Sequence, residues 1–276
     1  MMLHCGQFKL DLTRPRVMGI LNVTPDSFSD GGHYSQVNAA VQHALSLIDE
    51  GVDILDIGGE STRPNAAPVT LAQELDRVIP VIEALVAHQI NVPISIDTYK
   101  PAVMRAAIAA GASLVNDVSA LQEEGAIAAV ADSDVGVCLM HMQGTPQTMQ
   151  DNPHYVDVVE EVSAFLSERV SVCQQAGIAS NRLLIDPGFG FGKTRVHNIT
   201  LIQRLDALTQ LNLPILVGLS RKSVLGQVTG HDVDARLYAS VAAAVISVMK
   251  GAHIVRVHDV KATVEALKVV AAIAPI

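Results

Sequence analysis

The chain has 276 residues, 49% of them hydrophobic and only 3% aromatic, and carries 28 acidic against 19 basic side chains for a formal charge of −9. That length fits one large α/β barrel or two ordinary domains, and an apolar content drawn mostly from Ala, Val, Ile and Leu suits strands covered on both faces rather than an aromatic-rich β-sandwich. The acidic balance and the lack of any polybasic run exclude nucleic acid and an anionic membrane as expected partners.

In chain order, the Met-Met start lacks the basic-then-apolar order of a signal peptide, and no apolar run is long enough to span a bilayer. Cys5, Cys138 and Cys173 are scattered without metal-ligand spacing, so the expected setting is reducing and cytoplasmic. Residues 3–12 read as an extra N-terminal segment, a hairpin closing the bottom of a barrel. An apolar run at 17–21 then stops at Asn22, and a polar stretch, "VTPDSFSDGG", follows with one bare aromatic, Phe28.

Beyond it a phrase recurs: "EGVDILDIGG" from Glu50, "AGASLVNDVS" from Ala110, the longer "AGIASNRLLIDPG" from Ala176, and "KGAHIVRVHD" from Lys250. Each offers a glycine suited to end a helix in the left-handed region, a short turn, an apolar run, and a polar residue at its end. Eight such strands are expected near 17–21, 53–57, 92–96, 113–116, 136–140, 182–185, 214–218 and 253–257. Helical patterns such as "VNAAVQHALSLIDE" lie between them. Alternation of this kind predicts right-handed crossovers and one (β/α)8 TIM barrel spanning 1–276 as a single α/β domain. An open doubly wound sheet is disfavoured because no G-x-G-x-x-G follows the first strand.

Barrel active sites lie where the strands end. There the sequence places Asn22, "GGESTRP" at 58–64, Asp97 with Thr98, Asn116 with Asp117, His141, Asp186, "GLSRKS" at 218–223, and Arg256 with His258. Thr98 and Asp117 read equally well as strand-end caps. Asp97, Asn116 and Asp186 sit on three strands and offer acceptors and an amide to one flat heterocycle. Lys222 would complement a ligand carbonyl or ring nitrogen. Arg63, Arg256 and His258 form a cationic group in an acidic chain, suited to a phosphate or diphosphate. "DPGFGFGK" at 186–193 lacks Walker spacing, so its glycines are expected to allow close backbone approach and a mobile turn. His141 reads as either structural or functional. No nucleophile–base arrangement stands out.

"MGILNVTPDSFSDGG", "DIGGESTRP", "ISIDT", "LMHMQG", "DPGFGFGK", "GLSRKS" and "RVHDV", in this order, resemble the dihydropteroate synthases, the sulfonamide-inhibited enzymes of folate synthesis. The resemblance implies a homodimeric, Mg²⁺-dependent transferase joining 6-hydroxymethyl-7,8-dihydropterin diphosphate to 4-aminobenzoate by an SN1-like substitution. By the same resemblance, Asp186, Asn116 and Asp97 read the pterin ring, Lys222 meets its carbonyl and N5, and Met140 and Gly218 line the slot. Asn22 holds Mg²⁺, while Arg63, Arg256 and His258 bind the diphosphate. Thr62, Pro64, Ser223, Phe28 and Phe191 shape the aminobenzoate site, with Arg221 and Lys222 near its carboxylate. Asn65 departs from the small residue expected there. The nearest rival, a corrinoid-type pterin-binding methyltransferase domain, has no use for the diphosphate blocks.

Overall fold

The computed structural model describes residues 1–23, 33–61 and 67–273, without the side chains of residues 33 and 34. The chain opens with a two-stranded antiparallel hairpin, β1 (Met2–Cys5) and β2 (Phe8–Asp11). Eight strands then follow: β3 (Arg16–Asn22), β4 (Ile54–Gly58), β5 (Ile94–Asp97), β6 (Leu114–Asp117), β7 (Gly136–Met140), β8 (Leu183–Asp186), β9 (Leu216–Val217) and β10 (Ile254–Val257). All pair in parallel in the order β8-β7-β6-β5-β4-β3-β10-β9. A parallel bridge between Ile185 and Ile215, with the Ile185 N–H donating to Pro214 O at 2.9 Å, joins the two ends and closes the barrel. Strand β9 is only two residues long, so the expected 214–218 strand is shorter than its apolar pattern suggested.

The recurrent glycine phrase works as its chemistry requires. Gly51, Gly111, Gly177 and Gly251 all adopt positive φ, between 89° and 114°, and turn a helix end into the next strand. The helices α1 (His33–Asp49), α2 (Leu71–Ala87), α3 (Pro101–Ala110), α4 (Ala126–Val130), α5 (Val158–Gln175), α6 (Arg195–Gln203), α7 (Ser223–Thr229), α8 (Leu237–Met249) and α9 (Val260–Ile273) cover the outside. Their starts are set locally: Thr70 accepts from the Gln73 N–H while Gln73 reaches back to Thr70, and Asp157 accepts from the N–H groups of Val159 and Glu160.

The period of two along each strand sorts side chains between two apolar cores. Val17, Leu21, Leu55, Ile57, Ile96, Val115, Val137, Leu139, Ile185, Val217 and Val255 face the helices in the large outer core. Met18, Ile54, Leu114, Cys138, Leu184, Leu216 and Ile254 face inward and pack on Leu3, Cys5, Leu10 and Leu12 of the hairpin. The hairpin is therefore the barrel's floor, the place expected for residues 3–12. The fit is tight: a Cβ added at Gly136 would lie 2.9 Å from Cys5 Sγ. With the bottom filled, only the upper ends of the strands leave inward positions for polar groups.

Candidate active site

The strand register delivers those polar groups to one mouth. Asn22 pairs with Gly58, Gly58 with Asp97, Asp97 with Asn116, and Met140 with Asp186, each pair on adjacent strands. Inward positions one step lower carry Asp56 and Ser95, also in register. Asn22 is exposed, whereas Asp56, Asp97, Asn116, Met140 and Asp186 line the wall below it, mostly buried.

Arg256 reaches across the barrel as the hub of this wall. Its Nε donates to Asp56 Oδ2 at 2.5 Å and its Nη2 to Asp97 Oδ2 at 2.7 Å. Asn116 Nδ2 donates to the same Asp56 oxygen at 3.2 Å. Burial works against the Arg256 charge, but Asp56 and Asp97 more than compensate and hold its pKa above the usual arginine range. The sequence placed Arg256 in a cationic group suited to a diphosphate; in the structure its guanidinium also bridges two acids, Asp56 and Asp97. Asp56 was not among the residues singled out from the sequence. Its signal was the inward alternation of Ile54, Asp56 and Gly58 inside "DILDIGG".

Burial dominates the electrostatics of the acids. Asp97 is pushed up to about 7 by desolvation, opposed by Arg256 and reinforced by Asp56. Asp186 is also raised by burial, against the pull of Lys222. Asp186 Oδ1 accepts the Gly188 N–H at 2.7 Å, which fixes the carboxylate and leaves its second oxygen for a ligand. Lys222 is lowered to about 8 by desolvation despite Asp186. Its Nζ donates to Phe189 O at 2.5 Å and lies 4.6 Å from the Phe191 ring centroid. A Cβ at Gly218 would sit 3.8 Å from Arg256 Cβ and 3.9 Å from Lys222 Nζ, so the missing side chain leaves a slot between the two cations.

The outer blocks are tied together by side chains. Ser220 Oγ lies 3.0 Å from His258 Nδ1 and accepts the His258 N–H at 3.1 Å. Arg221, at φ 57°, turns its guanidinium onto Asp259, with Nη2 to Oδ1 at 2.6 Å and Nε to Oδ2 at 3.1 Å. Its immediate partner is thus an acid of the neighbouring block. Ser223 is exposed at the start of α7. Asp117 accepts the N–H groups of Ser119 and Leu121, each at 2.7 Å, and Thr98 Oγ1 accepts the Lys100 N–H at 3.2 Å. Both are strand-end caps, which settles their double reading. Phe28, Thr62, Arg63, Pro64 and Asn65 lie outside the described residues.

The "DPGFGFGK" segment is tied by its carbonyls to side chains around it. The carbonyls of Gly188, Phe189, Gly190, Phe191 and Gly192 accept, respectively, from Lys193, Lys222, Gln150, Lys193 and Tyr155. A Cβ at Gly188 would lie 1.8 Å from His141 O and one at Gly192 2.5 Å from Gln143 O, which is the close approach the glycines permit. His141 is packed edge-on against Phe165, with ring centroids 4.9 Å apart, and is depressed to about 3 by burial and by Lys193. It is structural.

For the Mg²⁺ that the resemblance implies, no group of three His, Cys, Asp or Glu side chains among the described residues gathers around a point. The donor at the mouth is the exposed Asn22, whose Oδ1 lies near the Gly58 and Asp97 positions. One neutral oxygen open to water fits a magnesium ion held mainly by water and substrate phosphate oxygens.

Fold and site together define a barrel enzyme with a slot for a flat, hydrogen-bonding heterocycle at the C-terminal mouth of its strands. A sequence model of the family described as pterin binding enzyme matches residues 18–258. The dihydropteroate synthase of Escherichia coli strain K12 is 55% identical over 263 residues, 95% of this chain and 93% of that protein. A solved dihydropteroate synthase of Xanthomonas albilineans with 4-aminobenzoic acid superposes with a TM-score of 0.93 at 55% identity, covering 100% of this chain and 98% of the other. Another from the same organism, in complex with 7,8-dihydropteroate, gives a TM-score of 0.91 at 52% identity with 100% of both chains covered. The chain belongs to the dihydropteroate synthase family of pterin binding enzymes.

Proposed function

We infer that this chain is a transferase that condenses 6-hydroxymethyl-7,8-dihydropterin diphosphate with 4-aminobenzoate to give 7,8-dihydropteroate and diphosphate. The observation that carries the reading is the intact mouth: Asp97, Asn116 and Asp186 converge on one slot beside Lys222 and Arg256, in a chain aligned end to end with the product-bound relative. The methyltransferase alternative finds no such support.

In this reading the second oxygen of Asp186 accepts from the amino-pyrimidinone edge, and Asn116 and Asp97 meet the remaining ring nitrogens. Lys222 Nζ turns from Phe189 O to the pterin carbonyl and N5, with Met140 and Gly218 as the walls. An aryl amine is neutral at pH 7, so no strong general base is needed, which agrees with a sequence in which no nucleophile–base arrangement stands out. The demanding event is departure of the diphosphate from a methylene whose positive charge the electron-rich ring shares. Arg63 and His258 meet that charge, and Arg256 adds to the field while its own bonds hold Asp97 in place. By precedent for fixed donors, removing one such group costs about 10²–10³ in rate. Mg²⁺ bound with the diphosphate supplies Lewis-acid stabilisation of the leaving group, and Asn22 is the residue that would hold it. Thr62, Pro64, Phe28, Phe191 and Ser223 form the aminobenzoate site, with Phe28 as an apolar wall that limits water near the cationic centre; Arg221 orders the turn bearing Lys222 through its Asp259 pair.

A homodimer is supported by an exposed stripe on α8, Tyr238, Ala242, Ile246 and Met249, beside Val269 and Ile273 of α9. A cytoplasmic location is supported by three buried, unbridged cysteines. The catalytic reading is tested by incubating the protein with both substrates and Mg²⁺ and looking for 7,8-dihydropteroate by mass spectrometry. Folded protein that forms none contradicts it.

A further inference from the structure

We propose that Lys193 is a positioning residue of the pterin site, a buried clamp that holds the 187–192 loop in the form that presents Asp186 and Lys222 to the ligand. This rests on the pterin reading of the slot and assigns a role to a residue that touches neither substrate.

The geometry is specific. Lys193 is 3% exposed, and its Nζ lies 2.8 Å from His141 Nδ1, 2.9 Å from Gly188 O and 3.0 Å from Phe191 O, with a longer contact of 3.4 Å to His141 O. As an ammonium it donates to all three close partners. As an amine it donates to the two carbonyls and accepts from a His141 Nδ1–H. Either proton state completes the same clamp. His141 is itself fixed to the neighbouring strand end, its N–H donating to Asp186 O at 3.0 Å.

Each carbonyl that Lys193 holds belongs to a residue acting on the site. Gly188 donates its N–H to Asp186 Oδ1 at 2.7 Å, so the clamp on Gly188 O sets the carboxylate's orientation. Phe191 covers Lys222 with its ring, and Phe189, between the two clamped residues, accepts from Lys222 Nζ. From the far side the loop is closed independently by Asn198, whose Oδ1 accepts the Gly190 N–H at 2.8 Å while its Nδ2 donates to Lys193 O at 3.2 Å. The lysine of an apparent phosphate loop thus points into the protein and binds its own loop.

Lys222 reports on the clamp. It is faced by Asp186 from β8, Asp97 from β5, Arg256 from β10 and Lys193 from the loop, and burial lowers it to about 8, with the carbonyl of Phe189 and the ring of Phe191 in that loop packed on its Nζ. Releasing the loop from the Lys222 ammonium lets water reach it, and that moves Lys222 upward.

The test is Lys193→Met, with Lys193→Gln alongside in case the first does not fold, in calorimetric titration with the pterin diphosphate across pH 6 to about 10. Wild-type binding in the same assay checks the pterin reading separately; if the wild type fails to bind, that reading falls rather than this one. The clamp predicts pterin affinity weakened about tenfold or more in folded variant protein. It also predicts that the alkaline limb of binding, near 8 in the wild type, moves up by about half a pH unit or more. Tyr155→Phe, which removes only the tie to Gly192 O, leaves that limb in place. Affinity within about twofold of wild type, or a loss of affinity with the limb unmoved, overturns the proposal. If neither variant folds, Lys193 is a core residue and the proposal falls.

Discussion

Asp186→Asn isolates one atom of the pterin reading. Asp186 Oδ1 is committed to the Gly188 N–H at 2.7 Å, so the amide oxygen of the asparagine takes that place. The NH₂ group then occupies the position of Oδ2 and faces the ligand's own N–H donors. The loss is one hydrogen bond to a charged acceptor, about 1.5–3 kcal/mol, with a donor left opposed. At about 1.4 kcal/mol per factor of ten, pterin affinity falls about 10- to 150-fold. Stability should not fall, because the carboxylate is already raised by burial and the amide removes that desolvation cost. Calorimetric titration with the pterin diphosphate, beside a thermal melt, reads both quantities. Affinity within about twofold of wild type refutes Asp186 as the acceptor of the ring edge.

Arg256→Met strands Asp56 and Asp97 without their shared cation, and about 3–5 kcal/mol of stability should go with it in chemical denaturation. Asp97 is raised to about 7 from 3.8, so the folded state takes up a proton that the unfolded chain releases. Its stabilisation is complete below pH 3.8 and is lost as pH rises through about 7, and Asp97→Asn should flatten that part of the stability–pH curve. Gly188→Ala places a Cβ 1.8 Å from His141 O and should abolish soluble, folded protein, whereas Gly230→Ala, also at positive φ but with nothing within 4 Å, should cost only about 1 kcal/mol of strain in a melt. Leu3→Ala in the barrel floor should cost about 2–5 kcal/mol while leaving the pterin KM unchanged.

The fold was legible because the glycine phrase marks four of the helix-to-strand turns and the apolar runs mark the strands; the floor was expected from an extra segment ahead of the first barrel strand, and its inward Leu3, Cys5, Leu10 and Leu12 fill the bottom. The positions of Asp97, Asn116 and Asp186 followed from the same logic, since a strand's last inward residue faces the mouth. What was not legible is which charge meets which. Arg256 finds Asp56 across 200 positions of sequence, a pairing that only barrel closure creates. Arg221 meets Asp259 from a backbone in the left-handed region, a pairing that no local pattern announced. The glycines of "DPGFGFGK" announced a turn, but not its partners: the donors to its carbonyls come from residues 150, 155 and 222 as well as from its own lysine.

The most direct measurement is diphosphate release from the pterin diphosphate by the purified protein in Mg²⁺, with and without 4-aminobenzoate. Release that depends on aminobenzoate and matches dihydropteroate formed mole for mole is the predicted result. Clean, folded protein that binds the pterin yet releases no diphosphate when aminobenzoate is added would contradict the account.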